Sequence, residues 1–143
     1  MSLLLMRESD STATFSSPKA AEVAFYQAFA DCDIQAMATV WAQSNVICIH
    51  PGSMAIVGRE AVMRSWTNIL SQAEPLNLHV ELLIKTESNG MAVHLVEERI
   101  RPMTGSTDND SVVLATNIYS LEADGWRLLQ HHASIPNTRQ TTH

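Results

Sequence analysis

Apolar side chains recur at helical spacing in three segments of the first half of the chain. The first segment begins at Ser17 and Pro18, because serine caps a helix and proline is tolerated in its first turn, and it extends to about Ala30. Asp33 is placed to cap a second helix, and Gly58 precedes a third. The apolar stripes are Val23, Tyr26, Phe29 and Ala30 in the first helix, Ile34, Met37 and Trp41 in the second, and Val62, Trp66, Ile69 and Leu70 in the third.

Strand-like segments rich in β-branched residues dominate the remainder of the chain. A short run and a short return strand lie between the second and third helices, and four longer strands follow. Asn89-Gly90 and Asp124-Gly125 are dipeptides that favour hairpin turns between two of the strand pairs. Helices followed by strands predict an α+β fold. The predicted strands are 46–49, 54–57, 78–86, 91–101, 111–121 and 126–134.

The last hairpin is expected to bring two polar residues together. If Asp124-Gly125 forms a two-residue loop, counting outward along both strands places Asn117 opposite His132. Side chains alternate between the faces of a strand, so both would project from the same face. A register shifted by one residue would replace His132 by His131. The pattern therefore predicts a polar cluster in this part of the sheet.

The hairpin at Asn89-Gly90 sets the register of two long strands in the same way. An uninterrupted register predicts that Glu97 points inward, whereas one β-bulge would exchange it for Glu98. A buried carboxyl group has a raised pKa, which is a recognised mark of functional sites, and a salt bridge to a nearby arginine is the ordinary alternative. The same register places His79 and His94 on the outer face, towards solvent or a partner subunit.

The 143 residues, of which 45% are hydrophobic, are enough for the core of one domain and too few to suggest two. We expect a single domain at 17–136, a flexible N-terminal arm at 1–16 and a flexible tail at 137–143. The polar loop 102–110 is also expected to be mobile. A net charge of −6, with only nine Lys and Arg residues, argues against a nucleic-acid partner and against an anionic membrane surface.

Cys32 and Cys48 have no metal-ligand spacing and do not suggest a disulfide framework, which fits a reducing compartment. The apolar run 3–6 is shorter than a signal-peptide core of about 7–15 residues, and no run approaches the roughly 18 apolar residues of a membrane span. We therefore expect a cytoplasmic protein. The six histidines lack the spacing of a helical metal motif, and no nucleotide or nucleophile motif stands out, so neither a metal nor a cofactor is predicted.

Five segments, taken together and in their order, resemble the SnoaL-like and steroid delta-isomerase-like branch of the NTF2-like superfamily. They are VAFYQAFADCDIQAMATVWA from Val23, IHPG from Ile49, GREAVMRSW from Gly58, ATNIYSLEADGW from Ala115 and HHAS from His131. The resemblance covers most of the chain. It implies an NTF2-like cone, in which three N-terminal helices pack on a curved mixed, mainly antiparallel β-sheet. We expect this cone to form a homodimer.

Positions within the resemblance imply particular site residues. In steroid isomerases a general-base carboxylate lies just before the proline that follows the second helix, and His50 is at that position. A neutral imidazole can also take a proton at physiological pH. Those enzymes place an oxyanion-stabilising acid about eight residues before the glycine of the last hairpin, which is Asn117. Their first-helix tyrosine aligns with Phe25, whereas Tyr26 is one residue, or about 100°, out of phase.

The residues support two alternative functions. In the first, the protein binds a small apolar or carbonyl-containing molecule as a cofactor-independent isomerase, cyclase or lyase that transfers a proton next to a carbonyl. In the second, it is a non-catalytic ligand-binding or association module, because a fold alone does not specify a function. Phe25 favours the second, whereas His50 and Asn117 favour the first. The candidate catalytic residues are His50, Asn117 and His132, and the candidate substrate-binding residues are Phe25, Tyr26, Trp41, Trp66 and Glu97. The two tryptophans can belong to the core as well as to a pocket wall.

Overall fold

The computed structural model describes residues 13–103 and 110–137. Its helices pack on one face of a single open sheet, which confirms the predicted α+β cone and the predicted order of helices and strands. Most of the predicted arm and tail, and the centre of the predicted loop 102–110, lie outside the described residues. The elements are α1 (Pro18–Asp31), α2 (Ile34–Val40), β1 (Ile47–Ile49), β2 (Ile56–Val57), α3 (Arg59–Gln72), β3 (Leu76–Ser88), β4 (Met91–Pro102), β5 (Ser111–Glu122) and β6 (Gly125–Ser134).

Both N-terminal helices begin where the sequence predicts. The Ser17 side chain accepts a hydrogen bond from the Ala20 N–H at 3.0 Å, and the Asp33 side chain accepts one from the Ala36 N–H at 3.0 Å. α1 ends at Cys32, whose φ of 56° is the left-handed conformation common at the C-terminal ends of helices. These caps determine the ends of the two helices and therefore which of their side chains face the sheet. None of the helices in the described part of the chain is long and apolar enough to cross a membrane.

The six strands lie in the order β2-β1-β6-β5-β4-β3. β1 and β6 are parallel and the other neighbouring strands are antiparallel, so the sheet is mixed and mainly antiparallel, as predicted. The parallel pair places Cys48 opposite His131, and His50 directly follows β1. Two segments far apart in the sequence therefore meet at one end of the sheet.

The core lies between the helices and the inner face of the sheet, with Phe25 near its centre. Its ring meets those of Tyr26, Trp41 and Trp66 edge-on, at centroid distances of 4.7, 6.3 and 5.5 Å. Burial of each such aromatic side chain stabilises the fold by about 1.5–3 kcal/mol. The two tryptophans are therefore part of the core. The largest fully buried side chains are Trp41, Trp66, Tyr119, Phe25, Met37, Leu128, His131 and Glu98.

The β3–β4 hairpin turns at Asn89-Gly90, as predicted, but a β-bulge interrupts its register. Leu83 is the extra residue of β3, because its two neighbours lie opposite consecutive residues of β4. Beyond the bulge Glu98 lies on the inner face and is 2% exposed, whereas Glu97 lies on the outer face. The prediction that Glu97 points inward was wrong, and the alternative in which a bulge exchanges it for Glu98 is correct.

His94 also lies on the inner face of β4, where it is 3% exposed, so its predicted outward position was wrong. That prediction gave the core side to the face that carries Val93 and Leu95. These two side chains form part of an apolar patch on the outer face instead, and burial in β4 alternates in the opposite phase. His79 is exposed, as predicted.

The β5–β6 hairpin departs from the predicted register at its turn and at a second bulge. Glu122 pairs with Gly125, so the loop is Ala123 and Asp124, and Leu129 is an extra residue in β6. The net shift is one residue and places Asn117 opposite His131. The predicted pairing of Asn117 with His132 was therefore wrong, and the register shifted by one residue is correct. His132 points away from the core and is exposed.

The last residues before α1 pack against this turn. The Trp126 N–H donates to the Phe15 carbonyl at 2.9 Å, and the Arg127 guanidinium donates to the Ala13 carbonyl and lies 5.1 Å from the Phe15 ring. We call residues 13–15 the N-terminal strap. A Cβ atom on Gly125 would lie 2.9 Å from the Phe15 oxygen, so the strap requires glycine there. Gly125 pairs with Glu122 within the sheet, so the strap packs against the first residue of β6.

Candidate functional site

A cavity of about 190 Å³ lies between α1, α3 and the inner face of the sheet, and we call it the Glu98 cavity. Its polar lining comes from His50, Glu98 and His131, which lie on three separate segments of the chain. A largely apolar cavity with a few convergent polar groups is typical of a small-molecule site. The remaining lining residues are Phe29, Pro51, Trp66, Ile69, Ile100, Val113 and Ala133.

A chain of hydrogen bonds links Glu98 to His131 behind the cavity wall. The Tyr26 hydroxyl donates to Glu98 Oε2 at 2.6 Å and accepts from Asn117 Nδ2 at 2.8 Å. Asn117 Oδ1 lies 2.6 Å from His131 Nδ1. All four side chains are buried, and the chain crosses from α1 to β4, β5 and β6. Buried polar groups that are fully hydrogen-bonded orient one another rigidly.

Burial changes the protonation of Glu98. Loss of water around its carboxyl group raises its pKa from 4.5 to about 7, although the hydrogen bond from Tyr26 acts in the opposite direction. Near neutral pH, Glu98 therefore exists in comparable amounts as acid and as carboxylate. A group with a pKa close to the working pH is suited to general acid–base chemistry.

Burial acts on His131 in the opposite sense. Removal from water, followed by the nearby charges of His50 and His132, lowers the pKa of His131 from 6.5 to about 3. The imidazole is therefore neutral at physiological pH. It lies between aromatic rings, with centroids 5.1 Å from Phe25 and 6.1 Å from Trp66.

His50 is held at the cavity by a side chain of α3. His50 Nε2 lies 2.7 Å from Ser65 Oγ, and its ring centroid is 5.1 Å from that of Trp66. Burial lowers the pKa of His50, which favours the neutral imidazole. Cys48 Sγ is 3.7 Å from His50 Nε2, but burial raises the pKa of the Cys48 thiol to about 12, so the cysteine is not a ready nucleophile.

The structure brings some of the predicted site residues together and separates others. His50 and Trp66 line the Glu98 cavity. Asn117 is fully buried behind His131 and is not among the lining residues. His132 and Glu97 lie on the outer face, because the bulge in β6 turns His131 inward and the bulge in β3 pairs the inner residue Val80 with Glu98.

The two neighbouring aromatic residues of α1, Phe25 and Tyr26, have different roles in the structure. Phe25 packs behind Trp66 and His131, whereas the Tyr26 hydroxyl joins the hydrogen-bond chain. Trp41 is fully buried in the core and does not line the Glu98 cavity. Tyr26 lies one residue, or about 100° around the helix, from the position of the tyrosine of the steroid isomerases. α1 nevertheless buries both Phe25 and Tyr26, so both side chains reach the interior.

Sequence reasoning missed the role of Ser65. The residue is half-buried beside Trp66 on α3, and no motif distinguishes it from other helix serines. Its position on the helix relative to Trp66 is the only local signal that could have suggested a contact with the cavity. The geometry shows that it orients the imidazole of His50.

A second polar contact lies deeper in the sheet, away from the Glu98 cavity. Glu22 Oε2 of α1 is 3.4 Å from His94 Nδ1, and both side chains are 4% exposed. Lys19 Nζ lies 3.9 Å from Glu22 Oε1 at the surface. The His94 ring is 5.1 Å from that of Tyr119. This buried contact connects α1 to β4.

A wider hollow of about 420 Å³ runs along the outside of α1 next to β3. Its walls include Lys19, Glu22 and Tyr26 of α1 and the apolar side chains of β3. It is larger than the Glu98 cavity, but the smaller cavity brings together two imidazoles and a carboxyl group whose pKa is raised to about 7, so we place the candidate site there. Within residues 13–103 and 110–137, no three His, Cys, Asp or Glu side chains are grouped so that they could hold a metal ion.

The family model of the SnoaL-like domain matches residues 19–138. No curated protein matches the chain in sequence. Among solved structures, a protein of Thiobacillus denitrificans, described as a proposed calcium/calmodulin-dependent protein kinase type II association domain, is 36% identical. The match covers 87% of this chain and 99% of that one, with a TM-score of 0.82.

Two further structures are similar to this one. A proposed dehydratase of the NTF2-like family from Streptomyces avermitilis is 27% identical over 82% of this chain and 92% of that one, with a TM-score of 0.74. A ketosteroid isomerase-like protein from Erwinia carotovora atroseptica is 15% identical over 83% of this chain and 93% of that one, with a TM-score of 0.69. The latter supports the fold alone.

Proposed function

This chain belongs to the SnoaL-like domain family, and on that basis we propose that it binds a small organic molecule in the Glu98 cavity and transfers a proton next to a carbonyl group. The reaction class is that of a cofactor-independent isomerase, cyclase or lyase. The observation that carries the proposal is the presence of a carboxyl group and two neutral imidazoles at one largely apolar cavity.

Glu98 and His50 are the proton-transferring groups in this proposal. Glu98 can give or take a proton because its pKa is about 7, and His50 offers a neutral imidazole held by Ser65. The sequence assigned the base to His50 and the oxyanion donor to Asn117. The Asn117 amide is already committed to Tyr26 and His131, so it positions His131 and does not touch the ligand. Trp66 and Phe29 form the apolar wall.

The Streptomyces avermitilis relative supports a lyase reaction, because it is a proposed dehydratase. Elimination of water next to a carbonyl begins with removal of an α-proton and ends with protonation of the leaving hydroxyl. One carboxyl group and one imidazole at the same cavity provide a base and an acid for these two steps. The free cysteines, Cys32 and Cys48, support a reducing compartment such as the cytoplasm.

Hydrogen–deuterium exchange tests the proposal without knowledge of the natural substrate. Cyclohexanone and 3-hydroxycyclohexanone are incubated with the protein in D₂O, and NMR measures exchange at the α-carbons. We expect the wild-type protein to accelerate this exchange, and Glu98→Gln to slow it by about 100-fold or more, the usual contribution of a general acid–base group.

Glu97→Gln is the matched control, because it removes the neighbouring carboxyl group on the outer face and should leave the exchange rate unchanged. Equal rates for Glu98→Gln and Glu97→Gln would refute the role of Glu98. Absence of both exchange and binding across a broader panel of small cyclic ketones would refute the function.

A homodimeric association module is the second candidate function. The outer face of the sheet carries apolar side chains at Val93, Leu95, Leu114 and Ile118, and Val93 lies directly opposite Ile118. An apolar patch on a sheet face is typical of a protein–protein interface. The Thiobacillus denitrificans relative is a proposed association domain, which supports the use of this face for association. We propose a second copy of this chain as the partner, and the two functions are compatible because they use opposite faces of the sheet.

A further inference from the structure

We propose that, when Glu98 is ionised, the hydrogen-bond chain through Glu98, Tyr26, Asn117 and His131 has a single polarity, which makes His131 Nε2 a hydrogen-bond acceptor in the Glu98 cavity and selects ring ligands that carry a hydroxyl group. The polarity is a property of the protein without ligand. The choice of ligand rests on the function proposed above, whose substrate would carry this hydroxyl group in addition to its carbonyl group.

The polarity follows from counting hydrogen atoms. When Glu98 is ionised its carboxylate only accepts, so the single hydroxyl hydrogen of Tyr26 is donated to Glu98, 2.6 Å away. The Tyr26 oxygen must then accept from Asn117, which can donate only through its NH₂ group. The Asn117 carbonyl oxygen is thereby turned towards His131, 2.6 Å from Nδ1. That oxygen cannot donate, so His131 Nδ1 must carry a hydrogen.

The consequence lies at the other nitrogen of the ring. His131 is neutral, because burial lowers its pKa to about 3, and a neutral imidazole has only one N–H. With the hydrogen on Nδ1, Nε2 holds a lone pair. His131 lines the Glu98 cavity, and within the described residues Asn117 is its hydrogen-bond partner. Nε2 is therefore the atom that His131 offers to a ligand.

The cavity thus presents acceptors to a bound molecule. Nε2 of His131 and the carboxylate of Glu98 both accept, so a hydroxyl donor fits and an acceptor-only ligand leaves both without a partner. The volume of about 190 Å³ exceeds the ~150 Å³ that accommodates benzene, which leaves room for one ring and a small substituent. A ring with one hydroxyl group, such as cyclohexanol, combines both properties.

The tautomer of His131 is the direct test, and it needs neither ligand nor turnover. Long-range ¹H–¹⁵N NMR spectra of the full-length ¹⁵N-labelled protein at about pH 9, where Glu98 is ionised, distinguish Nδ1–H from Nε2–H. Comparison with His131→Gln assigns the signal. We expect the Nδ1–H tautomer, and observation of Nε2–H would overturn the proposal.

Two substitutions test whether Tyr26 transmits the polarity. Tyr26→Phe removes the acceptor that fixes the orientation of the Asn117 amide, so we expect a mixture of His131 tautomers. Thr39→Val is the control, because the Thr39 hydroxyl donates to the Ala36 carbonyl of α2, outside the chain, so its removal should preserve Nδ1–H. The same single tautomer in both variants would show that the chain does not set the polarity. If Tyr26→Phe does not fold, the tautomer seen in the wild-type spectrum still tests the proposed polarity.

Binding of four cyclohexane derivatives tests the ligand class at the same pH. We expect cyclohexanol to bind about ten-fold or more tightly than cyclohexanone, methoxycyclohexane or methylcyclohexane, since each of these leaves the acceptors unpaired. Equal affinities, or a preference for cyclohexanone, would overturn the alcohol specificity. If the His131 tautomer is Nδ1–H but cyclohexanol is not preferred, the ligand class is refuted and the polarity of the chain stands. The exchange of α-protons of the ketones tests the proposed function separately.

Discussion

At the scale of single residues, Glu98 and His131 are buried groups whose pKa values shift in opposite directions. Folding favours the neutral form of each, because both are removed from water. Glu98 ionises above pH 4.5 in the unfolded chain but only above about pH 7 in the folded one. The stability it contributes is therefore fully present below pH 4.5 and is lost as the pH rises to about 7. For His131 the loss occurs as the pH falls from 6.5 towards about 3, so the two slopes offset each other between pH 4.5 and 6.5.

Glu98→Gln should separate these two effects. The variant cannot ionise, so its stability relative to the wild-type protein should rise between pH 4 and pH 8. A pKa change from 4.5 to about 7 corresponds to a gain on the order of 3 kcal/mol, at about 1.4 kcal/mol per pH unit. Urea unfolding followed by circular dichroism at several pH values measures it. Glu97→Gln is the control. If the free energy of unfolding depends on pH in the same way for Glu98→Gln and the wild-type protein, the pKa of Glu98 is not raised by folding.

At the scale of elements, β-bulges and the N-terminal strap set the registers that build the site. Leu83 and Leu129 each shift one strand by one residue, which exchanges the faces of the side chains beyond them. The strap fixes the last turn by contact with Gly125 and Trp126. Register, and hence the choice of cavity residues, therefore depends on contacts outside the hairpins themselves.

Gly125→Ala tests the packing of the strap, with Gly52→Ala as its matched control. Both glycines have positive φ, 114° and 76°, but a Cβ on Gly125 would lie 2.9 Å from the Phe15 oxygen, whereas one on Gly52 would meet nothing within 4 Å. We expect Gly52→Ala to cost about 1–2 kcal/mol for the backbone alone and Gly125→Ala about 2–4 kcal/mol, since overpacking adds to it. The free energies of unfolding in urea provide the comparison. Equal costs would mean that the strap does not pack against the turn.

At the scale of the whole molecule, the two faces of the sheet have different uses. The inner face, covered by the helices, carries the Glu98 cavity and the hydrogen-bond chain. The outer face carries the apolar patch around Leu114 and Leu95, together with the exposed His132. A second subunit on the outer face would bury the patch without blocking the cavity.

Leu114→Lys should dissociate the proposed dimer. The substitution places a charge at the centre of the apolar patch and opposite Glu97, which can pair with it and keep the subunit folded. Analytical ultracentrifugation should show a dimer for the wild-type protein and a monomer for the variant, with unchanged circular dichroism. Met54→Lys is the control, because Met54 is apolar and 85% exposed but lies in the loop between β1 and β2, outside the strands that carry the patch. A wild-type monomer at about 100 µM would exclude an obligate dimer of the usual interface size.

The sequence by itself determined the order of helices and strands, the helix caps and both hairpins. These features depend on local signals: the capping by Ser17 and Asp33, the turn dipeptide at Asn89-Gly90, and Asp124-Gly125, which located the last hairpin although its loop is Ala123 and Asp124. The predicted polar cluster around Asn117 also formed, because an amide within an apolar strand requires buried partners.

Only the tertiary structure decided which residues reach the cavity. The extra residues, Leu83 and Leu129, lie in the apolar runs Leu82-Leu83-Ile84 and Leu128-Leu129, where no alternation of polar and apolar positions reveals a bulge. A shift of one residue exchanges the faces of a strand, so Glu98 and His131 took the places predicted for Glu97 and His132. Local pattern specifies the elements, whereas long-range packing specifies the register, and in a sheet the register determines the site.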